Sequence, residues 1–465
     1  MIELVFDKEV ITENIRATSL TETADLFIPY FSRENKITVV VSGDTANASF
    51  GCRSALQTGE NAEYSAKGAI FRLLRDITGY SPAWGSLTGV KPLKMYTNLI
   101  ERGRTPGEVR TYMEDVFMVS AAKMDLLEEC RSNQYDLLYP PDGTVSLYIH
   151  IPLCLSKCTY CSFPSAVTPE GSQLCEAYLK ALSKELKAVR AFFQDEDIDC
   201  VYVGGGTPSI FSVPQIVRLL DDIHTSAPTL KELTFEAGRA DTLYPEKFRA
   251  LSENGVTRIS INPQTANDAT LARINRATEY SDYVRSFQEA RDAGIGNINC
   301  DLIFGLEDEQ EEDCMRSLNE IIKLGPECIT VHSLCKKRTS ALEAGSVAAK
   351  GLPVARLQDI AREILRENGY GPYYTYRQKA AVDNAENTGY SVKGSQCVYN
   401  IRMMGEKQTV ISAGAGSTTK LYFPSTDRFE NIYNMKNVEL YTARIDEVIE
   451  KKLKAMERQI SKGQH

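Results

Sequence analysis

The sequence predicts an α/β fold in which parallel strands alternate with helices. Three observations lead there. Six short apolar runs recur between residues 145 and 338. Amphipathic helical patterns with readable ends lie between successive runs, the signature of strand–helix–strand units and a parallel sheet. Polar and glycine residues follow the runs, at the carboxyl ends of the strands, where α/β barrels place their chemistry. The pattern is met equally by an α/β barrel and by an open sheet.

Residues 1–138 read as a separate N-terminal α+β domain. It offers a strand at Ile2–Phe6, a β-branched run at Ile37–Val41, and helices near Ala62–Ile77 and Pro106–Arg131. A turn-rich stretch from Tyr80 to Pro92 holds the only tryptophan, Trp84. Tyr139-Pro140-Pro141-Asp142-Gly143 then stops regular structure.

The core spans residues 145–338. Its strands are expected at Ser146–Ile151, Cys200–Val203, Glu232–Glu236, Thr257–Ile261, Asn297–Phe304 and Cys328–Leu334. Leu174, Tyr178, Leu182, Leu186 and Val189 repeat at helical spacing. Ser212 and Gln215 form a capping box, Pro245 and Gly255 bound one helix, Ser281 and Gly294 the next, and Gly325 ends the last. Residues 339–465 form a mostly helical third region, with helices near Val354–Arg366 and Val438–Ile460. Between them lie the aromatic and basic stretch Tyr373–Lys379 and the turn Gly414-Ala415-Gly416-Ser417.

The composition is that of a folded chain: 465 residues, 43% hydrophobic and 25% charged. A net charge of −9 speaks against a broad nucleic-acid surface and against a polybasic membrane patch. No apolar run is long enough to span a bilayer. The first residues carry acids and no basic stretch, so no signal peptide is expected and the predicted location is cytoplasmic.

Nine of the twelve cysteines are scattered and read as small buried hydrophobes. The other three, Cys154, Cys158 and Cys161, crowd into the loop Cys-Leu-Ser-Lys-Cys-Thr-Tyr-Cys. Three thiolates can hold three corners of a cubane iron–sulfur cluster and leave one iron open to substrate. A zinc site completed by His150 or a distant cysteine is the alternative. CxxC spacing alone would favour zinc; CxxxCxxC after a first barrel strand does not.

Tyr148-Ile149-His150-Ile151-Pro152-Leu153-Cys154 and the cysteine loop resemble the radical S-adenosylmethionine (SAM) enzymes. They look most like the oxygen-independent coproporphyrinogen III oxidase family. The likeness continues through Gly204–Pro208, Glu236, Arg258–Gln264, Asn275-Arg276 and Asp301–Leu306. Asn262-Pro263-Gln264-Thr265 and Trp84–Gly89 look most like the HemZ branch. The resemblance implies a partial (β/α)6 radical SAM barrel, a [4Fe–4S] cluster on the three cysteines, and S-adenosyl-L-methionine chelated to the free iron. A reducing electron then releases a 5′-deoxyadenosyl radical.

The same resemblance implies roles for single residues. Tyr160 packs against the adenine. Gly205, Gly206 and Thr207 let backbone approach the methionyl group. Glu236 accepts from the ammonium or ribose, and Gln264, Arg276 and Asp301 fix the rest of the cofactor. Tyr148 and His150 share one face of the first strand and face cofactor and substrate; His332 is a further histidine of this kind. The implied substrate is coproporphyrinogen III, decarboxylated twice to protoporphyrinogen IX in haem biosynthesis. The implied reductant is an electron donor such as a flavodoxin or ferredoxin. Lys336-Lys337-Arg338, Arg377 and Lys379 are candidates for the propionates, and the Gly414–Ser417 turn for closing the site.

The sequence departs from the family in one place. The oxidases carry a fourth cysteine two residues after the third, where this chain has Phe163. Related haem chaperones share that departure, but carry a His-Asn-x-x-Tyr-Trp motif where this chain has Tyr399-Asn400-Ile401-Arg402-Met403-Met404. A HemW-like haem chaperone and a radical enzyme that opens or methylates haem are therefore the competing readings.

Overall fold

The structure, a computed structural model, describes residues 2–6, 15–27, 30, 35–89, 91–335 and 352–463. It divides into two compact units, Met1–Arg131 with Thr375–Glu386, and Ser132–Tyr374 with Asn387–His465.

The first unit is built on a four-stranded sheet in the order β1-β2-β3-β4: β1 (Ile2–Phe6), β2 (Asn35–Ser42), β3 (Thr45–Phe50) and β4 (Arg53–Thr58). β1 runs parallel to β2, and β2, β3 and β4 form an antiparallel meander. Ile37, Val39 and Val41 alternate onto one face and pack with Phe71, Leu74 and Phe27. The helix Ala62–Thr78 starts where Asn61 Oδ1 accepts from the Tyr64 amide at 2.9 Å.

The single helix expected near Pro106–Arg131 is two, Pro106–Val116 and Ala121–Leu138. Met118 takes a positive φ of 56°, which ends the first helix. Pro92, the last residue of the turn-rich stretch, opens a further helix, Pro92–Glu101, which the sequence reading does not place.

The second unit carries the expected parallel strands: β5 (Thr144–Ile151), β8 (Asp197–Gly205), β9 (Glu232–Gly238), β10 (Arg258–Ile261), β11 (Ile298–Phe304) and β12 (Cys328–Ser333). Two short strands, β6 (Leu153–Cys154) and β7 (Ala166–Val167), pair with each other. Each of the six matches its expected run to within about three residues, because a strand buried on both faces is marked by its own apolar run.

The sheet does not stop at six strands. Its order is β13-β14-β12-β11-β10-β9-β8-β5-β15-β16-β17, with β13 (Gly371–Arg377), β14 (Glu386–Ser391), β15 (Val410–Ala413), β16 (Thr418–Phe423) and β17 (Arg428–Tyr433). β15 continues the parallel set beside β5, and β14 runs antiparallel to β12. The sheet is an open partial barrel. The C-terminal residues therefore contribute five strands as well as the helices Val354–Glu367, Val398–Gly405, Val438–Ala443 and Ile445–Gly463. Among the described residues no helix is long and apolar enough to cross a membrane.

Candidate functional site

The cysteine loop leaves β5 through β6 and returns through β7. The β6–β7 pair closes it, with Thr168 N donating to Cys154 O at 2.9 Å and Ala166 N to Pro152 O at 2.9 Å. Three other strand-end loops tie it down. Gly206 N and Thr207 N donate to Ile151 O and Leu153 O, each at 2.8 Å. Asn275 Nδ2 donates to Lys157 O at 2.7 Å. Arg239 Nη1 reaches Ser156 O at 3.4 Å. A loop rich in small and polar residues is thus fixed by its neighbours rather than by its own propensity.

Two of the three sulfurs accept hydrogen bonds. Thr207 Oγ1 donates to Cys154 Sγ at 3.5 Å, and Arg239 Nη1 to Cys158 Sγ at 3.4 Å. Arg239 is buried and held bidentately by Asp241, at 2.9 and 2.6 Å. Sequence reasoning missed this residue. The available signal was a Gly-Arg pair just past Glu236, with an acid two residues on. Burial raises the Cys161 thiol above its ordinary value. Among the described residues no three His, Cys, Asp or Glu side chains converge as a single metal ion needs. A cubane makes a different demand, since each cysteine ligates its own iron.

The glycines of the β8 loop are there for room. A Cβ on Gly205, whose φ is +115°, would lie 2.2 Å from His150 Cδ2; one on Gly206 would lie 2.9 Å from Cys154 Sγ. Glu236 sits at the end of β9, where Tyr202 OH donates at 2.6 Å and Gly205 N at 3.3 Å. Burial pushes its carboxyl up to about 7; Asp301 adds to the rise, against the two hydrogen bonds. Asp301 is half-buried and stays below the ordinary carboxylate range. Its burial is outweighed by His332, at 3.7 Å, with Asn299 donating at 2.8 Å. Burial lowers the His332 pKa, and the hydrogen bond and charge of Asp301 more than restore it.

The raised Glu236 pKa has a stability consequence of definite sign. The folded chain keeps this proton over a pH range in which the unfolded chain has lost it. Stability therefore falls as pH rises from the ordinary carboxylate range through about 7. Glu236→Gln, which cannot ionise, is expected to melt higher relative to wild type at pH 8 than at pH 5, by on the order of 2 kcal/mol. Thermal melting at both pH values measures it; an unchanged difference contradicts the assignment.

Gln264 follows β10 with a φ of 73°, its amide donating to Asp301 O at 3.0 Å. Arg276 is buried, with Nη1 on the Asn262 carbonyl and on Tyr283 OH, and Nη2 on Tyr160 OH at 2.9 Å. It ties the cysteine loop to the β10 loop. Tyr148 stacks on Tyr399, centroids 5.9 Å apart, and Tyr399 on Tyr202 at 4.6 Å. Of the two outer rings only Tyr202 bonds to Glu236, and desolvation raises both phenols. His150 also faces this side of β5, 5.8 Å from the Tyr148 ring. Its pKa is lowered by burial, against its bond to Ala415 O.

Two of the basic candidates belong to the first unit. Arg377 is buried in the first unit, bonded to the Leu87 carbonyl and to Asn384, with burial pulling it down to about 10. Lys379, also in that unit, pairs with Glu22. Lys336-Lys337-Arg338 lies outside the described residues. Phe163 is exposed.

A parallel strand set with a three-cysteine loop after its first strand defines a radical SAM protein, and the family model for that superfamily matches residues 148–321. The oxygen-independent coproporphyrinogen-III oxidase-like protein HemZ of Bacillus subtilis (strain 168) is 33% identical over 397 residues, 83% of this chain and 79% of that one. The heme chaperone HemW of Escherichia coli (strain K12) is 29% identical over 284 residues, 60% of this chain and 71% of that one. The solved structure of Escherichia coli coproporphyrinogen III oxidase (HemN), described as a radical SAM enzyme, shares the fold. Its TM-score is 0.52 at 21% identity, covering 68% of this chain and 72% of that one. The chain belongs to the HemZ-like coproporphyrinogen oxidase family, whose cofactors are a [4Fe–4S] cluster and S-adenosyl-L-methionine.

Proposed function

We propose that the protein is a radical SAM oxidoreductase that converts two propionates of coproporphyrinogen III to vinyl groups, giving protoporphyrinogen IX. Each conversion passes a β-hydrogen atom of the side chain to the 5′-deoxyadenosyl radical, then loses carbon dioxide and gives one electron to an external one-electron acceptor. The observation that carries this reading is the convergence of the β8, β9 and β10 loops on the cysteine loop, in a chain one-third identical to HemZ over most of its length.

The residues present suit the two cofactors. Cys154, Cys158 and Cys161 would ligate three irons, with Thr207 and Arg239 donating to two of the sulfurs. Gly206 leaves the space beside Cys154 that a side chain would fill. Asn262 Oδ1, Gln264 Oε1 and Arg276 Nε are buried polar atoms without a hydrogen-bond partner, and such atoms are costly unless a ligand satisfies them. Tyr160, Gly205, Glu236 and Asp301 would complete the S-adenosylmethionine site, with Tyr148 and His150 turned to the substrate. Bound there, the cofactors supply a radical able to take a hydrogen atom from unactivated carbon. A flavodoxin- or ferredoxin-type donor would supply the reducing electron.

The buried position of Tyr399 favours an enzyme over a haem chaperone. Where the chaperone motif has histidine, this chain stacks a phenol into the tyrosine layer. The test is anaerobic. The chain is reconstituted with iron and sulfide, given S-adenosylmethionine, a strong reductant and coproporphyrinogen III, and the tetrapyrroles are weighed. Two successive carboxyl losses with formation of 5′-deoxyadenosine support the proposal. Cofactor cleavage without those losses moves the substrate to haem or another tetrapyrrole. Stoichiometric haem binding without cleavage supports the chaperone reading.

A further inference from the structure

His150 is held by groups that the catalytic reading does not use. Its Nδ1 lies 2.6 Å from the carbonyl oxygen of Ala415, in the turn between β15 and β16. A carbonyl only accepts, so Nδ1 must carry the proton. In a neutral imidazole, Nε2 is then a bare lone pair, and no described residue hydrogen-bonds to it. The ring lies between two glycines. The Cδ2–Nε2 edge lies against Gly205 and the Cε1–Nδ1 edge nearer Gly416.

Tyr178 holds this arrangement from the helix Gln173–Phe192. Its hydroxyl donates to His150 O at 2.7 Å and accepts from Ala415 N at 2.9 Å. One side chain therefore fixes the backbone at both ends of the imidazole contact. The turn has no slack: a Cβ on Gly414 would lie 2.2 Å from His150 O and 2.7 Å from Tyr178 OH. One helical turn pair further on, buried Glu185 accepts from Gly414 N at 2.8 Å, Asn434 Nδ2 at 2.8 Å, Tyr441 OH at 2.5 Å and Lys452 Nζ at 2.7 Å. The turn is pinned from behind as well as from the site.

We propose that Tyr178 is a positioning residue for His150: it sets the Gly414–Gly416 turn so that Ala415 O takes the Nδ1 proton, and Nε2 faces the β8 loop as a hydrogen-bond acceptor. This rests on the reading of the β5 and β8 ends as the cofactor and substrate site. Its chemical consequence is specific. The ligand group that meets Nε2 is a donor, such as a pyrrole N–H or an ammonium, and a propionate carboxylate is turned away from that point.

The test reads the tautomer directly. The chain has four histidines, so 15N-histidine protein gives a short spectrum in which His150→Asn identifies the resonance. At neutral pH the wild-type chain is expected to show a protonated Nδ1 and a bare Nε2 in long-range 1H–15N correlations. A protonated Nε2 or an imidazolium overturns the proposal. Tyr178→Phe keeps the ring and removes both hydrogen bonds. It is expected to mix the His150 tautomers and to lower the turnover number of S-adenosylmethionine cleavage about 10- to 100-fold, with little change in KM. A folded Tyr178→Phe with the wild-type tautomer and rate overturns the positioning role. Should that variant not fold, the wild-type spectrum still decides the tautomer. The spectrum needs neither cluster nor substrate, so it stands apart from the decarboxylation assay: failure of that assay leaves the tautomer result intact.

Discussion

Cys158→Ala is expected to yield a folded chain that reconstitutes to well under one iron, where wild type takes up about four, and that cleaves no detectable S-adenosylmethionine. The same holds for Cys154→Ala and Cys161→Ala. The stability cost is expected to be small, because a free cysteine packs as a small hydrophobe and the loop is held by backbone hydrogen bonds from Gly206, Thr207 and Asn275. Iron and sulfide analysis with visible absorption reads the first outcome, and circular dichroism the second. Arg239 then loses its sulfur acceptor at residue 158 and stays neutralised by Asp241. A variant that binds a full cluster would show that the three-cysteine loop is not its ligand set.

Lys452→Met is expected to destabilise the chain by about 3 kcal/mol, lowering the melting temperature by about 4 °C. Lys452 and Glu185 are both almost wholly buried, 2.7 Å apart, and Lys452 also bonds to Ser412 O. Removing the ammonium leaves the Glu185 carboxylate to the Gly414 amide, Asn434 and Tyr441. Those three donors place the cost at the lower end for a broken buried pair. The double variant Glu185→Leu/Lys452→Met is expected to lose less than the sum of its single changes, because neither charge is stranded. Thermal melting of the three variants measures the coupling; strict additivity would contradict it.

The residues that the sequence exposes share a property: their signal is local. Strand runs at Ser146–Ile151 and Cys328–Leu334 are apolar because both faces of those strands are buried, and the structure places strands at Thr144–Ile151 and Cys328–Ser333. The capping residue Gln215, whose Oε1 accepts from the Ser212 amide at 3.1 Å, lies three residues from its partner. The cysteine loop and the residues after each strand are equally visible, since strand ends follow from strand positions. Helix breaks are less legible. Met118 interrupts a helix at a residue with no breaker signal, and a tertiary hydrogen bond holds the break: Ser120 N donates to Ala83 O at 2.8 Å.

Contacts between distant segments are silent in a single sequence. The partner of His150 Nδ1 lies 265 residues away and is a main-chain carbonyl, which has no residue type to recognise. β15 is only four residues long and enters the parallel set beside β5 by backbone pairing, from Val410↔Ser146 to Ala413↔Ile149. Arg377 sits in a basic, aromatic stretch that reads as a surface for acids, yet it is buried as a hydrogen-bond donor to Leu87 and Asn384.

The sequence by itself determined the six parallel strands, the helices between them and the loop that presents three thiols, because periodicity and spacing are properties of neighbouring residues. The tertiary structure alone decided which donors reach those thiols, which strands extend the sheet, and which nitrogen of His150 carries the proton. Each of these depends on a hydrogen bond between groups brought together only by folding: group chemistry sets which partner donates, and the fold sets which partners meet.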